Sequence, residues 1–194
     1  MKNILLLLLL TTFIFSCSND DDGLQDFETS FFTDPRDGQT YQIVKIGNQT
    51  WFAENLNYEA PNNLSSCYNN QETNCFTYGR LYSQSIAKSV CPDGYHLPTE
   101  QEWFELFNYF GGVDVAYAFL KPNGQVFGNQ INFNLLAGGF RNLQNFQFLG
   151  EVGRYWFNFE VTTIPEGIGF NLDGNLGIAT PGPDVGFSCR CIKD

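Results

Sequence analysis

Charge is scarce in this 194-residue sequence: Asp, Glu, Lys and Arg make up 16% of it, with ten basic residues against 21 acidic ones. The formal charge of −11 comes without any cluster of Lys or Arg. That excludes nucleic-acid binding, which rests on neutralised phosphates. Histidine is nearly missing as well. His96 is the sole one, which excludes His-rich metal centres and most pairings of a nucleophile with a histidine base. No apolar run reaches the roughly 20 residues that a membrane-spanning helix requires. No internal repeat is visible.

Aromatic residues, Gly and Asn are plentiful instead, with 20 Phe, nine Tyr and 19 Gly. Such a composition predicts an exported, turn-rich, largely β protein. Its address is written in the first residues. Lys2 gives a short basic start, and Ile4–Phe15 form an apolar stretch of the length of a signal-peptide core. Ile14-Phe15-Ser16-Cys17 resembles a bacterial lipobox, in which the cysteine is lipidated and becomes the new N-terminus. Residues 1–16 are therefore expected to be a lipoprotein signal peptide, with Cys17 as the lipid attachment site. Residues 17–33 read as a lipidated tether, acidic at Asp20-Asp21-Asp22. Multiple acyl chains hold a protein on a membrane without a span. The expected location is the outer membrane of a Gram-negative bacterium, exposed on the cell surface, with the membrane itself as a partner.

Residues 34–194 remain for one folded domain. It is organised around Cys91–Trp103. Pro98 ends what precedes it, Thr99 can cap a helix, and Glu102 three residues on completes a capping box. Trp103, Leu106, Phe107 and Phe110 then recur with helical spacing until Gly111-Gly112 stops the run. Upstream, Thr40–Ile46 and Gln49–Ala53 read as a hairpin around Gly47-Asn48, with a type II′ turn. Leu24–Asp34 shows no period and reads as the end of the tether. Pro61–Phe76 reads as loop, and Gly79–Lys88 as a short helix. Val113–Leu120 is predicted helical. Beyond it come short strands and turns: Asn145–Leu149, Tyr155–Phe157, a hairpin turning at Asp173-Gly174, and a last strand over Val185–Lys193. Cys67 and Cys75 bracket seven loop residues and are expected to form a local disulfide. A metal site is the rival reading, but further ligands are missing nearby.

These segments resemble the Fibrobacter succinogenes major paralogous domain, a family of exported bacterial lipoproteins. The resemblance rests on Asp37-Gly38-Gln39-Thr40-Tyr41, Gln49-Thr50-Trp51, Ala53-Glu54-Asn55-Leu56-Asn57, Tyr78-Gly79-Arg80-Leu81-Tyr82, Cys91–Trp103, Gly138-Gly139-Phe140-Arg141 and Gly186–Asp194. His96–Trp103 is also similar to a segment of formylglycine-generating-type domains and other variants of the C-type lectin fold. The resemblance implies an α+β, C-type-lectin-like fold: a twisted antiparallel sheet, two main helices, a long loop region, and pairing of first and last strands. It also implies a Cys91–Cys191 disulfide. The family carries no assigned catalytic residues, so none is implied, and no cofactor or metal is expected.

Two departures from the family pattern stand out. Cys189 replaces an aliphatic residue and is either a competitor for Cys91 or, the preferred reading, a buried free thiol. Tyr155-Trp156-Phe157-Asn158 replaces an aromatic-Ser-Ser run. The copper-binding cysteine pair of formylglycine-generating enzymes has only Cys189 and Cys191 as counterparts, two apart on one strand face. His96 reads as a hydrogen-bonded residue at the helix entry rather than a base. The calcium-binding triplets of sugar-binding lectins do not occur, and Asn171, Asp173 and Asn175 read as a plain turn. The expected function is a non-catalytic binding module for an extracellular glycan or protein. Its alternatives are a formylglycine-generating-like oxidase and a structural lipoprotein without a small ligand. A binding surface is expected in the loops between Leu120 and Pro183, where Tyr155, Trp156, Asn158 and Asn171 would supply aromatic faces and amides. Trp156 has a competing reading as a core residue.

Overall fold

The computed structural model of the protein describes residues 27–126, 128–158, 167–171, 175–179, 181–182 and 184–194. Cys17, the expected signal segment, most of the expected tether and the expected turn at Asp173-Gly174 lie outside the described residues. The first half of the domain comprises β1 (Thr29–Thr33), β2 (Thr40–Ile46), β3 (Gln49–Phe52), β4 (Ser65–Ser66), α1 (Glu72–Tyr78), β5 (Leu81–Ser83), α2 (Gln84–Ala87) and β6 (Tyr95–His96). Two longer helices follow, α3 (Glu100–Tyr109) and α4 (Val113–Leu120). The remainder is strand: β7 (Gln125–Val126), β8 (Asn129–Gln130), β9 (Phe140–Asn142), β10 (Asn145–Gln147), β11 (Val152–Trp156), β12 (Gly167–Asn171), β13 (Leu176–Ala179), β14 (Val185–Ser188) and β15 (Ile192–Lys193).

The architecture is α+β. One sheet runs β1-β2-β3-β15-β6, and a larger one runs β10-β9-β14-β11-β12-β13, with β5 and β4 joined to it at β14. Pairing is antiparallel except between β11 and β14. The β2–β3 hairpin forms as read from the sequence, with Ile46 opposite Gln49 and Gly47 at a φ of 58°. The capping box is also in place. Thr99 Oγ1 accepts from Glu102 N at 3.2 Å, and Glu102 Oε2 accepts from Thr99 N at 2.7 Å.

Four stretches differ from expectation, each for a physical reason. The supposed end of the tether contains β1, an edge strand with four of its five residues exposed; only Phe32 packs inward, on Phe52 and Tyr95. An edge strand with so little buried leaves no alternation to read. Pro61–Phe76 is not all loop. Helix α1 buries Cys75 alone, so it has no apolar stripe, and its place is held by the disulfide. It ends at Gly79, where φ is 73° and a Cβ would lie 2.7 Å from Asn55 Cβ. Gly79–Lys88 is a strand followed by one helical turn. Leu81 and Tyr82 are both buried because β5 is covered on both faces, and consecutive burial imitates helical spacing.

The fourth is the last strand, which is broken. β14 belongs to the larger sheet and β15 to the smaller, where it lies between β3 and β6. Between them, Cys189 O accepts from Leu56 N and Cys191 O from Phe52 N.

Two apolar clusters make up the core. One surrounds α3 and α4 with Trp51, Trp103, Phe133, Tyr155 and Phe170; the other holds Tyr41, Phe52, Tyr82, Trp156, Phe187, Cys189 and Cys191. β11 divides them, since successive residues of a strand face opposite ways. Tyr155 enters the first cluster and Trp156 the second.

Candidate functional site

The four residues expected to bind a ligand do not converge. Tyr155 and Trp156 are fully buried. Tyr155 donates its hydroxyl to Leu136 O at 2.7 Å and stacks on Phe170, while Trp156 Nε1 donates to Tyr82 O at 2.8 Å and its ring packs 4.5 Å from Phe187. Because β11 is covered on both faces, neither aromatic is available to a ligand, and that expectation is corrected. Asn158 is exposed, but its backbone N–H is bonded to Pro98 O beside the start of α3. Asn171 is the last residue of β12, opposite Val152.

The larger sheet carries a cavity of about 530 Å3. Phe140 and Asn142 of β9, Arg154 of β11, Gly169 of β12, Ile178 of β13 and Phe187 of β14 contribute to its wall. Arg154 is its chemical centre. The half-buried guanidinium lies 5.9 Å from the Phe140 ring centroid, and Nη1 donates to Gly153 O and Phe170 O. Burial lowers its pKa, and no carboxylate pairs with it among the described residues. Gly169 lets the group lie close on β12: a Cβ there would stand 2.6 Å from Arg154 Nη1.

Next to Phe140 and Asn142 of the wall, Leu143 and Phe148 flank β10; they are half-exposed and adopt φ of 56° and 60°, a region that large side chains rarely occupy. Phe148 leans on Phe140 at 5.8 Å. A guanidinium with spare donors beside aromatic rings can hold an acceptor group and a flat apolar face together. Sequence reading missed Arg154, although a lone cation within Val152–Trp156 and the Gly167, Gly169 alternation of β12 were both signals of a close approach.

Other candidate groups have structural duties. The structure contains the Cys67–Cys75 and Cys91–Cys191 disulfides. Glu72 lies close to Cys67 and Cys75, but their sulfurs are bonded to each other and are not free thiolates. Cys189 is a buried free thiol whose pKa is pushed well up by burial. With Cys191 in a disulfide, the two cannot serve as the copper-binding pair.

His96 stands between two carboxylates, with Nδ1 2.7 Å from Asp194 Oδ1 and Nε2 2.9 Å from Glu102 Oε1. Both contacts are hydrogen bonds only when the ring is protonated. Burial disfavours the charged ring, but the bonds and charges of Asp194 and Glu102 outweigh it and raise the pKa above 6.5. A raised folded-state pKa gives stability that is complete below the unfolded value and is lost as pH rises through the folded one. His96→Ala is therefore expected to lower the melting temperature more at about pH 5.5 than at about pH 9. Equal losses at the two pH values would refute the pairing.

Two disulfides and a capped helix brace an α+β domain whose larger sheet carries an arginine-centred cavity. The chain belongs to the family described as the Fibrobacter succinogenes major domain, whose model matches residues 44–193. No curated protein and no solved structure matches it.

Proposed function

We propose that this protein is a surface-anchored lipoprotein whose domain is a non-catalytic binding module for an extracellular glycan or protein. Arg154 carries the reading. A half-buried guanidinium whose hydrogen-bond partners among the described residues are backbone carbonyls, at the wall of a cavity with aromatic sides, has hydrogen-bonding capacity left for a ligand. The ligand would place a carboxylate or carbonyl on Arg154 and a ring or apolar side chain over Phe140. Membrane attachment through Cys17 rests on the lipobox, and display outside the cell on the acidic tether. We also read the domain as a variant of the C-type-lectin-like fold. The early β2–β3 hairpin next to the closing strand β15, the α3–α4 pair and the loop-rich later half support that reading.

One experiment tests function and anchor together. Cells displaying the full chain would be probed with labelled extracellular polysaccharides and surface proteins, beside Arg154→Ala and Cys17→Ser variants. Arg154→Ala is expected to lose binding by tenfold or more, on the order of one charge-assisted hydrogen bond, with surface level unchanged. Cys17→Ser is expected to move the binding activity into the soluble fraction. Binding that ignores Arg154 would sink the cavity assignment, and a Cys17→Ser protein still on the membrane would sink the anchor.

A further inference from the structure

Three buried side-chain atoms without a hydrogen-bond partner among the described residues, Ser66 Oγ, Arg80 Nε and Arg141 Nε, belong to residues that line a single pocket. It measures about 410 Å3. Along β9, Phe140 and Asn142 face the cavity described above, and Arg141 faces this pocket on the opposite side of the sheet.

The two arginines differ in their surroundings. Arg80 is 8% exposed, and its Nη2 lies 3.3 Å from Glu59 and 3.5 Å from Glu72, both on exposed side chains. Arg141 is half-buried and has no carboxylate, carbonyl or aromatic partner among the described residues. Withdrawing a guanidinium from water without a counter-charge is costly, and this chain has few cations to place.

The remaining wall selects the ligand. Glu59 and Glu72 both hold Arg80, so Arg141 is the cation left without a counter-charge, and one guanidinium matches a single carboxylate better than a dianionic phosphate. Guanidinium groups take carboxylates through two parallel hydrogen bonds. Asn63, Asn70, Gln144 and Ser65 surround them with amides and a hydroxyl; Cys67 also lines the pocket, and no aromatic ring or aliphatic side chain does so among the described residues. Such walls suit a ligand that is hydroxylated as well as acidic. We propose that this pocket binds a sugar acid, the hexuronate unit of an acidic polysaccharide, with Arg141 as the principal partner of its carboxylate.

Calorimetric titration of the full, disulfide-intact chain with D-glucuronate and D-galacturonate tests this, with D-glucose, inorganic phosphate and a glutamate-containing tripeptide as controls. At least one uronate is expected to saturate at one site per chain, with glucose weaker by about tenfold or more. Arg141→Gln is expected to reduce uronate affinity at least about tenfold, and to do so equally in an Arg154→Gln background, where the cavity across the sheet has lost its guanidinium. Failure of both uronates to saturate, tighter binding of phosphate or the peptide, or an Arg141→Gln variant that binds like the parent would overturn the proposal. Should Arg141→Gln not fold, Asn70→Asp places a negative charge at the exposed rim and is expected to weaken uronate binding. Unchanged affinity there would overturn it equally.

Discussion

Arg190→Met is expected to lower the unfolding free energy by about 3–5 kcal/mol, the cost of stranding partners around a lost buried charge. Arg190 is completely buried. Its Nη1 donates to Phe52 O at 3.1 Å and Phe133 O at 2.5 Å, and its Nη2 to Asn55 Oδ1 at 2.5 Å and Asn134 O at 3.0 Å. The group also lies 4.8 Å from the Phe133 ring centroid. No carboxylate is among these partners, so the charge is met by oriented dipoles. Burial lowers its pKa. A methionine fills similar space but leaves four acceptors without donors. Arg190→Lys should recover only part of the loss, because a single ammonium cannot reach both sides of the fork. Urea unfolding at neutral pH measures both variants. A loss under about 1 kcal/mol for Arg190→Met, no more than one ordinary hydrogen bond, would show that these contacts do not hold the loops together.

Removing the Cys91–Cys191 bridge, as Cys91→Ala with Cys191→Ala, is expected to cost about 4–5 kcal/mol, against about 2–3 for the Cys67–Cys75 pair. The contrast comes from the unfolded chain. The first bridge joins residues 100 apart in sequence and the second residues eight apart, so the first restricts far more of the unfolded ensemble. Unfolding curves of the two double variants measure the difference. Equal losses would mean that the long bridge adds little beyond local packing.

Local grammar made part of this fold readable. Thr99, Glu102 and the apolar spacing after them specify α3 within a dozen residues, and Gly47-Asn48 specifies the hairpin. Interactions that close over long distances left weaker traces. Arg190 looks like any surface cation in sequence, because three of its partners are backbone carbonyls, which have no residue-type signature. Helix α1 lacks an apolar face since a disulfide substitutes for packing. Tyr155 and Trp156 resembled ligand-binding aromatics because coverage of both faces of β11 comes from elements elsewhere in the chain. For the same reason the cavity could not be read from the sequence. Its wall is assembled from five strands, and the arginine at its centre is one of only ten basic residues in the chain.

The break in Val185–Lys193 bears on the order in which the molecule can be made. β14 lies against β5, β9 and β11, and β15 joins β3 to β6. Until those nine residues are present, neither sheet has the strand that joins its parts, and Cys91 lacks its partner Cys191. A ribosome or a translocation pore delivers them after everything they connect. The emerging polypeptide must therefore wait, unassembled and threadable, with the cost of its long loops unrecovered until the end. Both sheets then close in one late step, and a polypeptide cut short before Val185 would leave both of them open.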